Sequence, residues 1–460
     1  MNAKHAVAIF GGAVAGSEAA ANLARDDVVV FVFEQNALPY GKIEYGLPMW
    51  HIKLRDKYER LIDDKLNRPN IHFIPGVKLG REIDFSELVE KWPFAAVLLA
   101  TGAWKDRPLP VPGIDAYIGK GLYYQNPFVQ WFNHKHRSDY DGPQCHVEEG
   151  AIIVGGGLAS IDVAKIHMME NFLKKVRSMG LEMDIFTLER LGLPKAAEKL
   201  GISLSQLDIQ PCTIYYRRRL VDMPLSPNPP RDEPSLWEKT HQVRLKILTL
   251  AREKYLFNVE ELHSPVDMHV QDGRLKGLVF RRNQPGENGP VGIPGSAYVV
   301  PAPLVISSIG SIPEKIPGVP CLGDRLCVED PQTGKLNGLG HVYALGNAIT
   351  GKGNIKESLH HGRKVSEHIV RAYLGLEETP DAPEEIKTPV KGQVDNLMKD
   401  IQRQPELEPE QYAGLCRLIE ETCPDRPGMG SDRPGVDYVK WVAEHKPERL
   451  EDQLKEHHGR

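Results

Sequence analysis

The chain has 460 residues, more than one hydrophobic core organises, so two or three domains are expected. A net charge of -5 gives no overall field for nucleic acid or an anionic membrane, and no apolar run reaches the about 18 residues of a membrane span. Six cysteines without a C-x-x-C pair argue against a disulfide scaffold and favour idle thiols in a reducing cytoplasm.

One motif occurs twice along the chain. Residues 8–20 read AIFGGAVAGSEAA, and residues 152–164 read IIVGGGLASIDVA. Each runs from an apolar, strand-like stretch through a glycine-rich turn into a helix start of small residues. Because this pattern opens a dinucleotide-binding βαβ unit, the sequence predicts two such units.

The first unit carries the glycine fingerprint with one departure. Gly11 permits the tight turn, Ala13 replaces the second glycine, and Gly16 lets the helix pack on the strand. The methyl group of Ala13 is expected to push a bound pyrophosphate slightly outward. A second apolar strand, at 28–33, ends in Glu34, near the spacing of the acid that accepts hydrogen bonds from ribose hydroxyls. The alternative is an ordinary glycine-rich turn in an α/β protein.

Two later segments are expected to return to the first unit and close over its cofactor. The run AAVLLATG has the pattern of a buried strand and ends in Thr101 and Gly102. The run HVYALGN has the same pattern and ends in Gly346 and Asn347.

The second unit differs from the first in its binding residues. It turns at Gly155 and Gly157, and Ser160 in the third position is expected to loosen the contact between helix and strand. The next strand, TIYY, runs into three arginines that include Arg217 and Arg218. Arginine offers charge-assisted bidentate bonds to a 2′-phosphate, so the pattern favours NADPH over NADH. The alternative is a solvated arginine-rich loop.

Other segments predict the remaining architecture. A helical insertion is expected at 188–207, and Asp272-Gly273 between two alternating runs indicates a β-hairpin. Beyond residue 379, charged amphipathic helices are predicted at 391–418 and 436–457, with a Pro/Gly-rich break between them. We interpret this tail as a helical appendage.

Two further motifs point to a known family. The stretch PYGKIEYGLPMWH, which contains Gly41, Gly46 and the closing His51, matches P-[FY]-G-x-[VI]-x-[FY]-G, although Glu44 stands where arginine is common. The stretch GNAITGKGNI begins at Gly346 and matches G-W-x-x-R-G-P-x-G-[VI] in part. With these motifs, residues 6–375 resemble the adrenodoxin reductase-like ferredoxin–NADP reductases, and also the reductase portion of the glutamate synthase small subunit.

The resemblance implies an α/β fold with two Rossmann-like dinucleotide-binding domains, one for FAD and one for NADP, the second inserted in the first. The implied limits are 1–105 and 304–378 for the discontinuous FAD-binding domain and 106–303 for the NADP-binding domain. A helical C-terminal extension covers 379–460.

The resemblance also implies an enzyme that transfers hydride between NADPH and flavin and passes electrons to a ferredoxin-type iron–sulfur acceptor. Gly353, Asn354 and Ile355 are the implied residues that, with Gly346 and Asn347, position the nicotinamide on the flavin; Asn347 replaces a tryptophan and Asn354 a glycine.

His51 and Glu357 are candidates for proton handling. For His51 the alternative is a histidine that only caps or packs. No metal site is expected, because His360 and His361 would point about 100° apart on a helix.

The partner and the functional class are further expectations. A basic helical segment, made of Lys239, Arg244, Lys246, Arg252 and Lys254, is expected to steer an acidic ferredoxin, the alternative being an ordinary charged face. A second hypothesis is an NADPH-oxidising flavin subunit of a larger electron-transfer complex, docked through the C-terminal extension. A third, of another class, is a non-catalytic nucleotide-binding scaffold or redox sensor. The missing C-x-x-C argues against a disulfide reductase.

Overall fold

Two parallel β-sheets organise the part of the chain that the structure describes. This computed structural model describes residues 3–230, 232–329, 334–346, 387–422 and 434–458. No helix within these ranges combines the length and the apolar character needed to cross a bilayer.

Strands and helices are numbered in chain order within the described ranges. The strands are β1 (His5–Phe10), β2 (Val28–Glu34), β3 (Ile71–Pro75), β4 (Ala96–Leu99), β5 (Lys105–Asp106), β6 (Leu122–Tyr124), β7 (Ile152–Gly155), β8 (Thr213–Tyr215), β9 (Asn258–Glu260), β10 (His263–Gln271), β11 (Arg274–Gly286), β12 (Gly289–Gly292), β13 (Tyr298–Pro301), β14 (Val305–Ser308), β15 (Ser311–Ile312), β16 (Cys321–Leu322), β17 (Arg325–Leu326) and β18 (Val342–Ala344). The helices are α1 (Val14–Leu23), α2 (Lys42–Tyr45), α3 (Ile52–Leu66), α4 (Phe85–Lys91), α5 (Gln125–His134), α6 (Leu158–Ser178), α7 (Ile185–Leu191), α8 (Leu193–Lys199), α9 (Leu204–Leu207), α10 (Pro234–Tyr255), α11 (Lys387–Ile401), α12 (Pro409–Thr422), α13 (Tyr438–His445) and α14 (Leu450–His458).

The first sheet has five parallel strands in the order β18-β4-β1-β2-β3. Every residue of β1 and β2 is buried, because helices cover both faces of the sheet, and this explains their nearly continuous apolar sequences. Helices α1 and α3 pack on one face, and α4 packs on the other. The strand order reverses between β1 and β4, and a crevice opens beyond the carboxyl ends of strands at such a switch point.

The second sheet repeats this plan. Its five parallel strands have the order β6-β14-β7-β8-β9, with the switch point between β7 and β14. Helices α5, α6 and α10 share one hydrophobic core with this sheet. The two sheets confirm the predicted α/β class with two Rossmann-like units.

The connection between the two units corrects one predicted boundary. The sequence placed the return to the first unit at residue 304, but Val305–Ser308 pairs with β6 and β7 in the second sheet. All four residues of this strand are buried, as a central strand requires. The chain crosses between the units through β5 and β15, which pair antiparallel with Ser311 opposite Asp106.

Two predicted local features are confirmed. Asp272 and Gly273 have φ angles of 51° and 69°, the left-handed conformation of a two-residue hairpin loop, and they join β10 to β11. The helical insertion predicted at 188–207 consists of α7, α8 and α9.

The C-terminal extension belongs to the core of the first unit and is not a separate appendage. On α11, Val394, Leu397 and Ile401 recur at helical spacing, are buried, and lie in one hydrophobic cluster with α1, α3 and the first sheet. On α12, Leu415 and Ile419 are buried in the cluster on the opposite face of the same sheet. The extension therefore covers both faces of the first sheet.

This arrangement predicts that Leu397→Ala lowers the free energy of unfolding by about 2–5 kcal/mol, because it removes a buried side chain and leaves a cavity against α1. Leu397 is 3% exposed, whereas Val439 in the same extension is 59% exposed and supplies the matched control, Val439→Ala. Urea unfolding followed by circular dichroism measures both variants. Equal midpoints for the two would show that α11 is not part of the core.

Candidate functional site

A cleft of about 320 Å³ opens beyond the carboxyl ends of the first sheet, at its switch point. Its walls come from the turn after β1, the end of β2, the residues around α2, and the segments that follow β4 and β18. The predicted cofactor-binding residues that line it are Gly11, Ala13, Glu34, Gly41, Thr101, Gly102 and Gly346. The fold thus brings together motifs that lie far apart in the sequence.

The glycines of the first fingerprint are required by close backbone contacts. Gly11 has a φ of +104°, and a Cβ atom there would lie 2.5 Å from the carbonyl oxygen of Ala100. A Cβ atom on Gly16 would lie 1.8 Å from the carbonyl oxygen of Gly11. Gly16 therefore allows α1 to start directly against the turn, as predicted. It does not line the cleft itself, and it acts by letting the turn and α1 approach each other.

Ala13, which replaces the second glycine of the fingerprint, faces residues 39–51, which we call the flavin-side motif. Gly41 has a φ of +52°, and a Cβ atom on it would lie 2.9 Å from the Cβ of Ala13. The absence of a side chain at Gly41 therefore leaves room for the methyl group of Ala13. Helix α1, which follows Ala13, has no acidic residue in its first turn and no side-chain cap, so its first amides are suited to a phosphate.

Glu34 is held at the cleft by neighbouring amides. Its carboxylate accepts hydrogen bonds from the Gly12 backbone at 2.9 Å and from the Asn36 backbone and side-chain amides at 3.0 and 2.9 Å. Burial raises the pKa of Glu34, and these hydrogen bonds oppose the rise. The acid predicted to bind a ribose therefore lies on the cleft wall in a fixed orientation.

In the second unit, the residue in the third glycine position strengthens a contact that the sequence predicted to be loosened. Ser160 is fully buried, and its Oγ donates to the carbonyl oxygen of Ser308 on β14 at 3.0 Å. A Cβ atom on Gly155 would lie 2.2 Å from this Oγ, so the glycine makes room for the hydroxyl. Gly157 precedes α6 directly as its N-cap residue.

The three arginines after β8 have different environments. Arg219 forms two hydrogen bonds of 3.0 Å with the carboxylate of Asp222. Arg217 and Arg218 are exposed at the carboxyl end of the strand. Their place after the second strand of this unit is compatible with the predicted contact to a 2′-phosphate, which stays a prediction.

Part of the chain matches a known protein family. Residues 5–192 match the family described as pyridine nucleotide-disulphide oxidoreductase.

Individual proteins are similar to this chain over longer or shorter segments. The chain is 26% identical to the NADPH-ferredoxin reductase FprA of Mycobacterium leprae over 382 residues, which are 74% of this chain and 78% of that protein. It is 33% identical to the glutamate synthase (NADPH) small chain of Mycobacterium tuberculosis over 162 residues, 34% of this chain and 32% of that protein. The resemblance inferred from the motifs is thereby confirmed.

A solved structure shows the same fold. Mycobacterium tuberculosis FprA in complex with NADPH superposes with a TM-score of 0.64 and 20% identity, over 92% of this chain and 91% of that chain. The two-unit architecture is therefore shared across nearly the whole length of both chains.

The family's closing histidine lies away from the cleft lining. His51 precedes α3, is buried, and contacts the ring of Trp50, with centroids 5.9 Å apart. Burial, with the nearby charge of Lys165, lowers the pKa of His51 to about 3, so the imidazole is neutral at pH 7. Gly46, which ends α2, is likewise absent from the cleft lining. Proton handling by His51 stays a prediction, and its placement favours a packing role.

Five predicted site residues lie outside the described ranges: Asn347, Gly353, Asn354, Ile355 and Glu357. Their roles remain expectations from the family resemblance.

The predicted basic face of α10 is only partly a surface. Arg244 is 1% exposed, and its guanidinium donates to the carbonyl oxygen of Ser226 at 2.9 Å, so it is a structural residue. Lys239, Lys246 and Arg252 are exposed. The expectation of a five-residue basic face is corrected by the burial of Arg244.

Sequence reasoning missed a buried ionic network between the flavin-side motif and the C-terminal extension. Arg449 contacts Glu44 at 2.6 Å and Glu59 at 2.8 Å, and both carboxylate side chains are 2% exposed. His134 Nε2 lies 2.9 Å from Glu44, and Lys446 Nζ lies 2.8 Å from Glu59. The departure at Glu44 was the available signal, because an acid in place of the usual arginine needs a cation from elsewhere.

The network holds Glu44 ionised. Burial alone would raise the pKa of Glu44, but the hydrogen bond from His134 and the charge and hydrogen bond of Arg449 outweigh it and lower the pKa to about 2. Glu44 belongs to α2, whose Lys42 and Ile43 line the cleft. The extension therefore fixes one wall of the candidate site.

We predict that Arg449→Gln lowers the free energy of unfolding at pH 7 by about 3–5 kcal/mol, because it removes the guanidinium that bridges two buried carboxylates, and His134 and Lys446 compensate their charge incompletely. Lys455→Gln is the control, since Lys455 pairs with Asp452 on the surface, where ion pairs contribute little. Urea unfolding measures both. The additional replacement Glu44→Gln should recover part of the loss, and a wild-type midpoint for Arg449→Gln would contradict the role assigned to the network.

The Arg449→Gln variant also tests how the contribution of Glu44 to the free energy of unfolding depends on pH. Because the pKa of Glu44 is lowered from 4.5 to about 2, its stabilisation is complete above pH 4.5 and is lost as the pH falls towards 2. The stability difference between wild type and Arg449→Gln should therefore shrink over that range. A difference that is constant from pH 7 to pH 3 would show that Glu44 is not the group that Arg449 stabilises.

Proposed function

We propose that the chain is an NADPH-dependent flavoenzyme that binds FAD in the cleft of the first unit and NADPH at the second unit. The observation that carries the proposal is the cleft itself. The glycine turn, Glu34 and residues 40–43 of the flavin-side motif line one cleft at the switch point of the first sheet. The chemistry that the flavin supplies is acceptance of hydride and release of electrons one at a time.

The cleft residues fit a dinucleotide. The turn after Gly11 and the amides at the start of α1 suit a pyrophosphate, and Glu34 at the end of β2 suits a ribose. The glycine at position 41 leaves space that a side chain would fill, because a Cβ there would lie 2.9 Å from Ala13. These contacts would hold the cofactor and exclude water from it.

We further propose a ferredoxin-type iron–sulfur protein as the electron acceptor. Support comes from the similarity to an NADPH-ferredoxin reductase along 74% of the chain. The exposed cations Lys239, Lys246 and Arg252 on α10 offer a surface for an acidic partner. The proposal includes the cytoplasmic location expected from the cysteine content.

The larger-complex hypothesis remains a second candidate. The apolar faces of α11 and α12 are buried against the first sheet, so a partner subunit would have to bind their exposed faces. Co-purification from the native cell would distinguish a stable complex from transient electron transfer to a small acceptor.

Anaerobic titration with NADPH tests the central proposal. We expect the purified protein to be yellow and its flavin absorbance to bleach with one equivalent of NADPH, and NADH to act poorly. A protein without flavin, or with flavin that NADPH does not reduce, would instead support the nucleotide-binding scaffold or redox sensor.

The 2′-phosphate assignment has its own test. Arg217→Ala and Arg218→Ala should each raise the KM for NADPH about 10- to 100-fold, because a hydrogen bond to a charged group contributes about 1.5–3 kcal/mol. The KM for NADH should change little. Arg219→Ala is the matched control, because that guanidinium already binds Asp222. Equal losses for NADPH and NADH in the first two variants would exclude a 2′-phosphate contact.

A further inference from the structure

Lys42 places a half-buried cation in the wall of the candidate flavin cleft. It is the first residue of α2, and it lines the cleft beside Gly41 and Ile43. Its Nζ donates to Ser311 Oγ at 2.9 Å and to Asn126 Oδ1 at 3.3 Å, and both of these acceptors are uncharged. The ammonium is therefore held in place without being neutralised by a direct carboxylate contact.

The partners of Lys42 fix its position through the connection between the two units. Asn126 Nδ2 donates to the carbonyl oxygen of Trp104 at 2.8 Å, and the Asn126 backbone donates to Asp106 at 3.2 Å. Asp106 and Ser311 lie opposite each other in the paired crossover strands β5 and β15. Burial lowers the pKa of Lys42 to about 8, against the opposing charge of Asp106, so the ammonium form predominates at pH 7.

The contacts of Lys42 place its ammonium where the cleft adjoins the second unit. The phosphate-binding turn and Glu34 occupy the end of the cleft nearest β1 and β2. Lys42 lies with Trp104 where the cleft meets residues of the second unit, Asn126 among them. Hydride transfer requires the nicotinamide, which the second unit would bind, to meet the flavin ring at close range, so the ring must lie toward this end.

We propose that Lys42 is an electrostatic residue of the flavin site, whose ammonium stabilises the negative charge that the flavin ring gains on reduction. This inference rests on the proposed function. Hydride leaves NADPH with two electrons, yielding NADP+ and a reduced flavin that carries one more negative charge than the oxidised flavin. A fixed cation nearby favours the reduced form and raises the reduction potential.

The test compares Lys42→Met, which removes the charge, with Lys42→Arg, which keeps it. The flavin-loaded proteins are equilibrated with a redox dye of known potential. We expect the preference for reduced over oxidised flavin to fall about tenfold in Lys42→Met, a decrease of about 30 mV for a two-electron couple. Lys42→Arg should stay near wild type. Lys91→Met, which removes a surface charge that pairs with Glu87 outside the cleft lining, is the matched control for a general effect of charge and should also stay near wild type.

The outcomes separate this inference from the proposed function. A wild-type protein without reducible flavin would refute the proposed function. Reducible flavin with an unchanged potential in Lys42→Met, or in Lys42→Gln if the first variant misfolds, would overturn the role of Lys42 alone. Equal shifts in Lys42→Met and Lys91→Met would also overturn it, because the net charge of the protein, and not the ammonium in the cleft, would then be the cause. Loss of flavin from both uncharged variants but not from Lys42→Arg would show that the charge holds the oxidised cofactor, which again contradicts the inference.

Discussion

The pairing of buried Glu44 with Arg449 constrains the whole first unit. A carboxylate that is 2% exposed requires a cationic partner, and its guanidinium comes from a residue 405 positions later in the chain. The flavin-side helix α2 can therefore hold its orientation only when the C-terminal extension is packed in place. The first unit also depends on the extension through apolar contacts. Helices α11 and α12 cover the two faces of the sheet that carries the cleft.

Charge is distributed along the candidate site in a way that matches two different tasks. Glu34, bonded to backbone amides, provides acceptors at one end, where a sugar needs hydrogen bonds rather than charge. Lys42, bonded to neutral acceptors, provides a cation toward the second unit, where we propose that the flavin ring lies. In the second unit, Arg217, Arg218 and Arg219 are all exposed at the end of β8, and Arg219 pairs with Asp222.

Local geometry explains what the sequence predicted well. The glycine turns and the Asp272-Gly273 hairpin depend on backbone conformations that few residues adopt, so their positions can be read directly. Long-range packing explains what it predicted poorly. An amphipathic helix shows that it has an apolar face but not which surface receives it, and so the extension was interpreted as an appendage. Likewise, the return of the chain to the first unit was placed too early, at residue 304. The apolar sequence of a buried strand does not indicate which of two sheets the strand joins.

The wrapping of the extension has a consequence for how the protein is made. Strands β1 to β4 and the helices α1, α3 and α4 are synthesised early, yet α11 and α12, which complete the cover of both faces, follow hundreds of residues later. Until α11 and α12 leave the ribosome, part of each apolar face of the first sheet stays uncovered, and the acid at position 44 lacks its guanidinium. The second unit, whose strands and helices all precede residue 309, can complete its core first. Cofactor capture in the first cleft is then a late event in biosynthesis, and a chain that stops before α11 would be recognisable to proteases by the apolar surface that α11 and α12 otherwise cover.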